Sequence, residues 1–181
     1  MSYEPAGHLL IPVDPEAPRR VLRLRELGLG DAPDPEFDEF ARTLGISVSA
    51  PFAMVNFINE ERQYLAGLYQ HGEVPDGKGL PEAGRAWPRD HGWCPHVVVR
   101  RLPLILDDVR EYPRFAGNPA VDETGIRSYA GAPLIDRTGT ALGTVCVADR
   151  EPRPWGRAGL EFIKAQAADL VERIHQRETV S

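Results

Sequence analysis

The segment DHGWCPH, residues 90 to 96, brings His91, Cys94 and His96 together beside Trp93 and Pro95. Three kinds of chemistry use such residues. A structural zinc site takes four ligands, or three and a water, with its cysteines as thiolates. Here every candidate is crowded into one short segment and no second His/Cys pair accompanies it, so no metal is assigned. A reactive thiol needs a base within reach, and either histidine is close enough along the chain to serve Cys94. The third use is structural: Pro95 suits the first turn of a short helix capped by Cys94 or Trp93, because its missing N–H is harmless there. Trp93 then plugs the core, His96 lines a cavity, and the segment forms the lid of a pocket. This third reading is preferred, and no catalytic residue is assigned.

A second constellation lies in IRSYAGAPLI (126 to 135), DRTG (136 to 139) and ALGTVCVAD (141 to 149), a β-hairpin whose turn uses Gly139 for a positive φ. Counting back from that turn sets Ala130 opposite Cys146 and Arg127 opposite Asp149. Side chains alternate between faces. One face then carries the small residues Ser128, Ala130, Ala132, Thr144, Cys146 and Ala148, which admit a closely packed helix. The other carries Arg127, Tyr129, Val145, Val147 and Asp149, a mixed wall that orients a ligand. With Trp93, Cys94, His96 and Phe115 from the 90-to-121 segment, these five form the expected ligand site. Arg127, held by Asp149, would present its free donors to an anion; the plainer alternative is a structural ion pair. This register buries Cys146 on the face away from Cys94, so no disulfide is expected between them.

The elements that must hold these residues follow from periodicity. Val21, Leu22 and Leu24 suit a short helix ended by Gly28, and Asp34-Pro35 supplies the cap and first turn of a second helix with Phe37, Phe40, Ala41 and Leu44 on one face. PFAMVNFIN (51 to 59) and RQYLAGLY (62 to 69) read as an antiparallel hairpin, LPLIL (102 to 106) as a short strand, and 111 to 121 as a brief helix or turn. Residues 70 to 92, rich in glycine and proline, are too long for an idle turn. A final helix from about Gly156 to Arg177 spaces Leu160, Ile163, Ala167, Leu170 and Ile174 as a stripe, to be covered by the sheet or by a second copy. Helices flanking antiparallel strands give an α+β class.

Composition sets the outer bounds. A chain of 181 residues with 42% hydrophobic content suits one core. Its net charge of −6 argues against a nucleic-acid or anionic-membrane partner, which would need clustered basic residues. No apolar run reaches the roughly 20 residues that cross a bilayer, and the first residues lack the regions of a signal peptide. Two cysteines do not make a disulfide framework, so the chain reads as cytoplasmic. There is no Gly-rich phosphate loop.

RLRELGLGDAPDPEFDEFARTLGISVSAPFAMVNFINEERQYLAG, PRDHGWCPH and IRSYAGAPLIDRTGTALGTVCVADREPR together resemble the GAF domain family, in its bacterial sensory subfamily, over about Arg19 to Arg177. The resemblance implies an antiparallel sheet of five or six strands, terminal helices on one face and a small-molecule pocket on the other. It also implies a homodimer paired through the terminal helices. On this basis the chain divides into a flexible or docked arm (1–18), a single GAF domain (19–178) and a short tail (179–181). No bilin-attachment cysteine occurs between Arg114 and Gly125, and the cyclic-nucleotide signature of some GAF domains is not recognised after Val147.

The function expected is non-catalytic sensing of a small, anionic or hydrogen-bonding metabolite, with output through a separate signalling protein. Two alternatives stay open. One is a thiol-based reductase or peroxide sensor using Cys94, similar to GAF-type free methionine sulfoxide reductases, for which a resolving cysteine is not evident. The other is a dimerisation scaffold without a ligand.

Overall fold

The computed structural model describes residues 12–72 and 84–180. Residues 1–11 of the expected arm, residues 73–83 of the 70-to-92 connection, and Ser181 of the tail lie outside the described residues.

Helix α1 (Ala17–Leu27) ends at Gly28, which takes φ 67 and donates its N–H to the carbonyls of Leu24 and Arg25. A left-handed cap of this kind suits a residue without Cβ. Helix α2 (Pro35–Ser47) starts where Asp34 accepts from the N–H groups of Glu36 and Phe37, a cap worth about 1 kcal/mol. Strands β1 (Phe52–Ile58) and β2 (Arg62–Gln70) form the first hairpin, closed by the Asn59 side chain, which accepts from Glu61 and Arg62. There follow β3 (Ala86–Pro88), α3 (Cys94–Arg100), β4 (Leu104–Leu106), a single 3-10 turn, α4 (Pro113–Ala116) and α5 (Pro119–Thr124). The chain closes with β5 (Ser128–Ile135), β6 (Ala141–Asp149) and α6 (Gly156–Val180). The six strands lie in the order β3-β2-β1-β6-β5-β4, every neighbouring pair antiparallel.

The sheet has a core on each face. On one, Ala53, Val55 and Phe57 of β1 and Val145 and Val147 of β6 pack against α2 and α6. On the other, Phe52 and Met54 of β1 with Cys146 and Ala148 of β6 pack under α3 and α5. Ile163, Ala167, Leu170 and Ile174 of α6 are buried in the first core, so of the two covers expected for this stripe, the sheet or a second copy, the chain's own sheet and α2 supply it. Leu160, at its start, is half-buried.

The closing hairpin departs from the expected register, and the cause is local. Next to the turn Ile135 pairs with Ala141, as the turn dictates, but further along Pro133 pairs with Thr144 and Ala130 with Val147. Two residues of β6, Leu142 and Gly143, therefore oppose the single Leu134, which is a β-bulge. Gly143 has the room this requires only because it lacks a Cβ: one built there would lie 1.9 Å from the Asn56 carbonyl oxygen. The bulge exchanges the faces of β6 relative to β5. Val145 and Val147 join Ala130 and Ala132 under the terminal helices, whereas Cys146 and Ala148 join Tyr129 on the opposite side.

Ser128, not Arg127, stands opposite Asp149. The Arg127 guanidinium instead donates to both carboxylate oxygens of Asp108, at 3.1 and 2.7 Å, and Asp149 accepts from Arg153 at 2.7 Å. The inner end of the arm is docked: Asp14 pairs with the fully buried Arg20 and with Arg89.

Candidate functional site

The face under α3 is built around polar residues in otherwise apolar strands. Asn56 of β1 and Thr144 of β6 are register partners. The Asn56 amide donates to Gln63 Oε1 at 2.8 Å, and Gln63 donates in turn to the carbonyls of Pro88 and His91 at 2.8 and 2.6 Å. This chain of bonds fastens the 88-to-91 backbone to the sheet. Gly92, at φ 77, is fixed next: its N–H donates to Asn118 Oδ1, and Asn118 Nδ2 donates back to the Gly92 carbonyl, each at 2.7 Å. Trp93 caps α3, with Pro95 in its first turn, which delivers Cys94 into the interior.

Cys94 lies at the centre of the cluster. Its sulfur is 3.1 Å from the Tyr129 hydroxyl and 3.9 Å from the sulfur of Cys146. Both thiols are free and buried. The hydrogen bond with Cys146, opposed by burial and aided by Thr144, Tyr129 and Asn56, holds the Cys94 thiol below its ordinary pKa. The same bond, then burial and the charge on Cys94, push Cys146 well above its own. Burial, then the charge on Cys94, keeps Tyr129 a neutral phenol. The Tyr129 ring lies over Gly131, where a Cβ would come 2.2 Å from its hydroxyl, and meets Trp93 at 5.4 Å between centroids.

Several buried atoms around this cluster have no hydrogen-bond partner: Asn56 Oδ1, Thr144 Oγ1 and Trp93 Nε1, with Trp87 Nε1 in the same core and His96 Nδ1 beside it. The Thr144 hydroxyl is near enough to Cys94 to lower its pKa, yet it makes no hydrogen bond of good geometry. Leaving such groups unpaired costs about 1–3 kcal/mol each.

The three residues of the opening motif go to three environments. His91 bonds Asp90 at 2.7 Å and Glu123 at 3.1 Å near the surface; burial opposes its charge, but these carboxylates outweigh it and raise its pKa. Cys94 meets Cys146. His96 packs edge-on against Phe115, 5.1 Å between centroids. Burial first, then the charges of Arg114 and Arg100, lower its pKa to about 4, so it is a neutral imidazole at pH 7. Neither histidine is hydrogen-bonded to the thiol. Among the described residues, no three His, Cys, Asp or Glu side chains are grouped to hold a metal.

Of the expected site residues, Trp93, Cys94, Phe115 and Tyr129 come together in one core, with His96 packed against its Phe115. Val145 and Val147 belong to the other face, and Arg127 and Asp149, each in its own ion pair, stand apart from the cluster. Asn56, Gln63, Thr144 and Cys146 were not expected. Asn56 and Gln63 carry a signal, being amides in strands that are otherwise apolar on this face.

An antiparallel sheet with long helices on one side and, on the other, short helices enclosing a polar thiol cluster defines an α+β domain whose two faces differ in composition. The model of the GAF domain family matches residues 32–174, and the chain belongs to that family. Over 153 residues it is 31% identical to a cyclic di-GMP phosphodiesterase of Pseudomonas aeruginosa, covering 83% of this chain but only 24% of that protein's length. In fold it is similar to the GAF domain of an Acinetobacter phosphoenolpyruvate-protein phosphotransferase (TM-score 0.61, 16% identity, covering 93% of this chain and 98% of that one). It is also similar to a free methionine-R-sulfoxide reductase from Neisseria meningitidis (TM-score 0.62, 13% identity, 95% and 98%). No helix among the described residues is long and apolar enough to cross a membrane.

Proposed function

We propose that the chain is a non-catalytic sensing module that binds a small neutral molecule, bearing both hydrogen-bond donors and acceptors, between the sheet and the 88-to-124 segment. One observation carries this: Asn56 Oδ1, Thr144 Oγ1 and Trp93 Nε1 are buried and unpaired around one cluster. Buried polar atoms are nearly always paired, and a set left open on one face is what a bound molecule would satisfy. A neutral ligand fits better than the anionic one expected from the sequence, because the Arg127 guanidinium is engaged by Asp108.

Trp93, Tyr129, Phe115 and His96 already fill the space, so binding requires the segment to open and reclose, a population shift rather than docking into an open cleft. Similarity to a cyclic di-GMP phosphodiesterase over 24% of its length supports a place in signalling, with output passed to a separate signalling protein. Native mass spectrometry of protein isolated from its own cells tests the reading. A retained small molecule that is lost from a folded Thr144→Val variant is expected; equal retention by that variant would take Thr144 out of the site, and an empty wild-type protein would overturn the reading.

A further inference from the structure

The β6 bulge places two thiols on one face where the strand register alone would have separated them. We infer that Cys94 and Cys146 are a reversible dithiol–disulfide pair, oxidised by hydrogen peroxide or a small organic hydroperoxide and returned by a dithiol reductant. The inference stands on the geometry of the pair and does not depend on a ligand being bound. Their sulfurs are 3.9 Å apart; closing to the about 2 Å of an S–S bond requires a shift of about that size by α3 or its first side chain. Cys94 is the first residue of α3, between a loop held by side-chain hydrogen bonds and a helix of seven residues. A displacement there is less costly than one within β6, which is paired on both sides.

The surroundings divide the labour. Cys94 is the more acidic thiol, its pKa lowered by its contacts with the Cys146 sulfur and the Tyr129 hydroxyl, 3.9 and 3.1 Å away, and the thiolate is the nucleophile. It attacks one peroxide oxygen: the S–O bond forms, the O–O bond breaks, and water, or an alcohol from an organic hydroperoxide, leaves with a proton. Cys94 is then a neutral sulfenic acid. Cys146 is held protonated by its bond to Cys94 and by the Cys94 charge. Once that charge is gone its proton is released more easily. Its sulfur attacks Cys94, the S–S bond forms, the S–O bond breaks, and hydroxide leaves with the Cys146 proton as water. Two thiols and hydrogen peroxide give one disulfide and two waters. A dithiol reverses the step by exchange. The bond would pin α3 to the sheet and break the Cys94–Tyr129 contact on which the face is arranged.

The test is brief exposure of the purified, reduced protein to hydrogen peroxide with N-acetylcysteine in the same solution, then alkylation in denaturant and peptide mapping. The wild-type protein is expected to lose both alkylatable thiols together, to yield a Cys94–Cys146 peptide lighter by two hydrogens, and to recover both thiols with dithiothreitol. Cys146→Ala should stop at a Cys94 sulfenic acid trapped by dimedone, and Cys94→Ala should keep its remaining thiol. Two intact thiols after the N-acetylcysteine is consumed, or Cys94 oxidised to sulfinic acid with Cys146 still free, would overturn the inference. Because the wild-type map decides by itself, failure of either variant to fold does not protect the proposal.

Discussion

The two cores share strands β1, β5 and β6 yet differ in kind. Under α2 and α6 the packing is aliphatic and aromatic, from Phe37 and Leu44 through Val145 and Val147 to Leu170 and Ile174, and of its members only Trp155 has an unpaired buried atom. Under α3 to α5 the same strands present Asn56, Thr144, Cys146 and Tyr129, and most of the unpaired polar atoms of the described residues collect there. The helices differ to match: 13 and 25 residues on the first face, seven, four and six on the second. Short helices gain little from their own hydrogen bonds and depend on packing. One face supplies the stability that lets the other carry groups a fold would otherwise exclude.

The largest effect that could break this contrast is Leu170→Glu. Leu170 is fully buried, so an unpaired carboxylate there should cost about 4 kcal/mol or more and leave little folded protein in urea titrations. A folded monomer would instead return the α6 stripe to the role of a seam between copies.

Next in size is an acid dependence on the second face. His96 stays neutral in the fold down to about 4 but takes a proton near 6.5 when unfolded. Between those values the unfolded state binds more protons, so stability is complete above 6.5 and falls as pH is lowered towards 4, by on the order of 3 kcal/mol. His96→Leu should remove most of that slope in thermal melts taken across this range.

A smaller change should run the other way. Thr144→Val keeps the shape and deletes an unpaired hydroxyl, so the ligand-free protein should gain about 1 kcal/mol; a loss of that size would mean the hydroxyl is satisfied in solution. Smallest is His91, whose pKa is raised above 6.5. Its contribution is fully present below 6.5 and lost as pH rises through the folded value, a window seen by NMR titration of its imidazole and absent in His91→Gln. His96 in the same spectra should titrate near 4, the opposite direction within one short segment.

Much of the scaffold was legible because it rests on local rules. Asp34-Pro35 with the Phe37 to Leu44 spacing marks α2, and Gly28 marks the end of α1. The turn at 136–139 was legible too, since Asp136 accepts from the N–H groups of Thr138 and Thr140 while Gly139 supplies φ 80. What failed was parity. Strict alternation from that turn misplaces every β6 residue beyond the bulge, and with it Cys146, Val145 and Val147. Gly143 was the available signal, since a glycine inside a strand often marks a bulge or a close backbone approach. Arg127 was misassigned for a related reason: Asp108, its actual partner, arrives from a turn after β4 that no hairpin count can place. Strand β3 escaped because three residues carry no period.

Native-state hydrogen exchange, resolved by residue, tests the division of labour most directly, because a buried thiol pair and a filled site can work only if their face opens without unfolding the other. The amides of α3 to α5, residues 94–124, should exchange through local opening at a free energy well below the global value, while those of α2, β1 and α6 exchange only with global unfolding. Equal protection of α3 and α6 would contradict the account, since neither a ligand nor a peroxide could then reach Cys94 short of unfolding the whole domain.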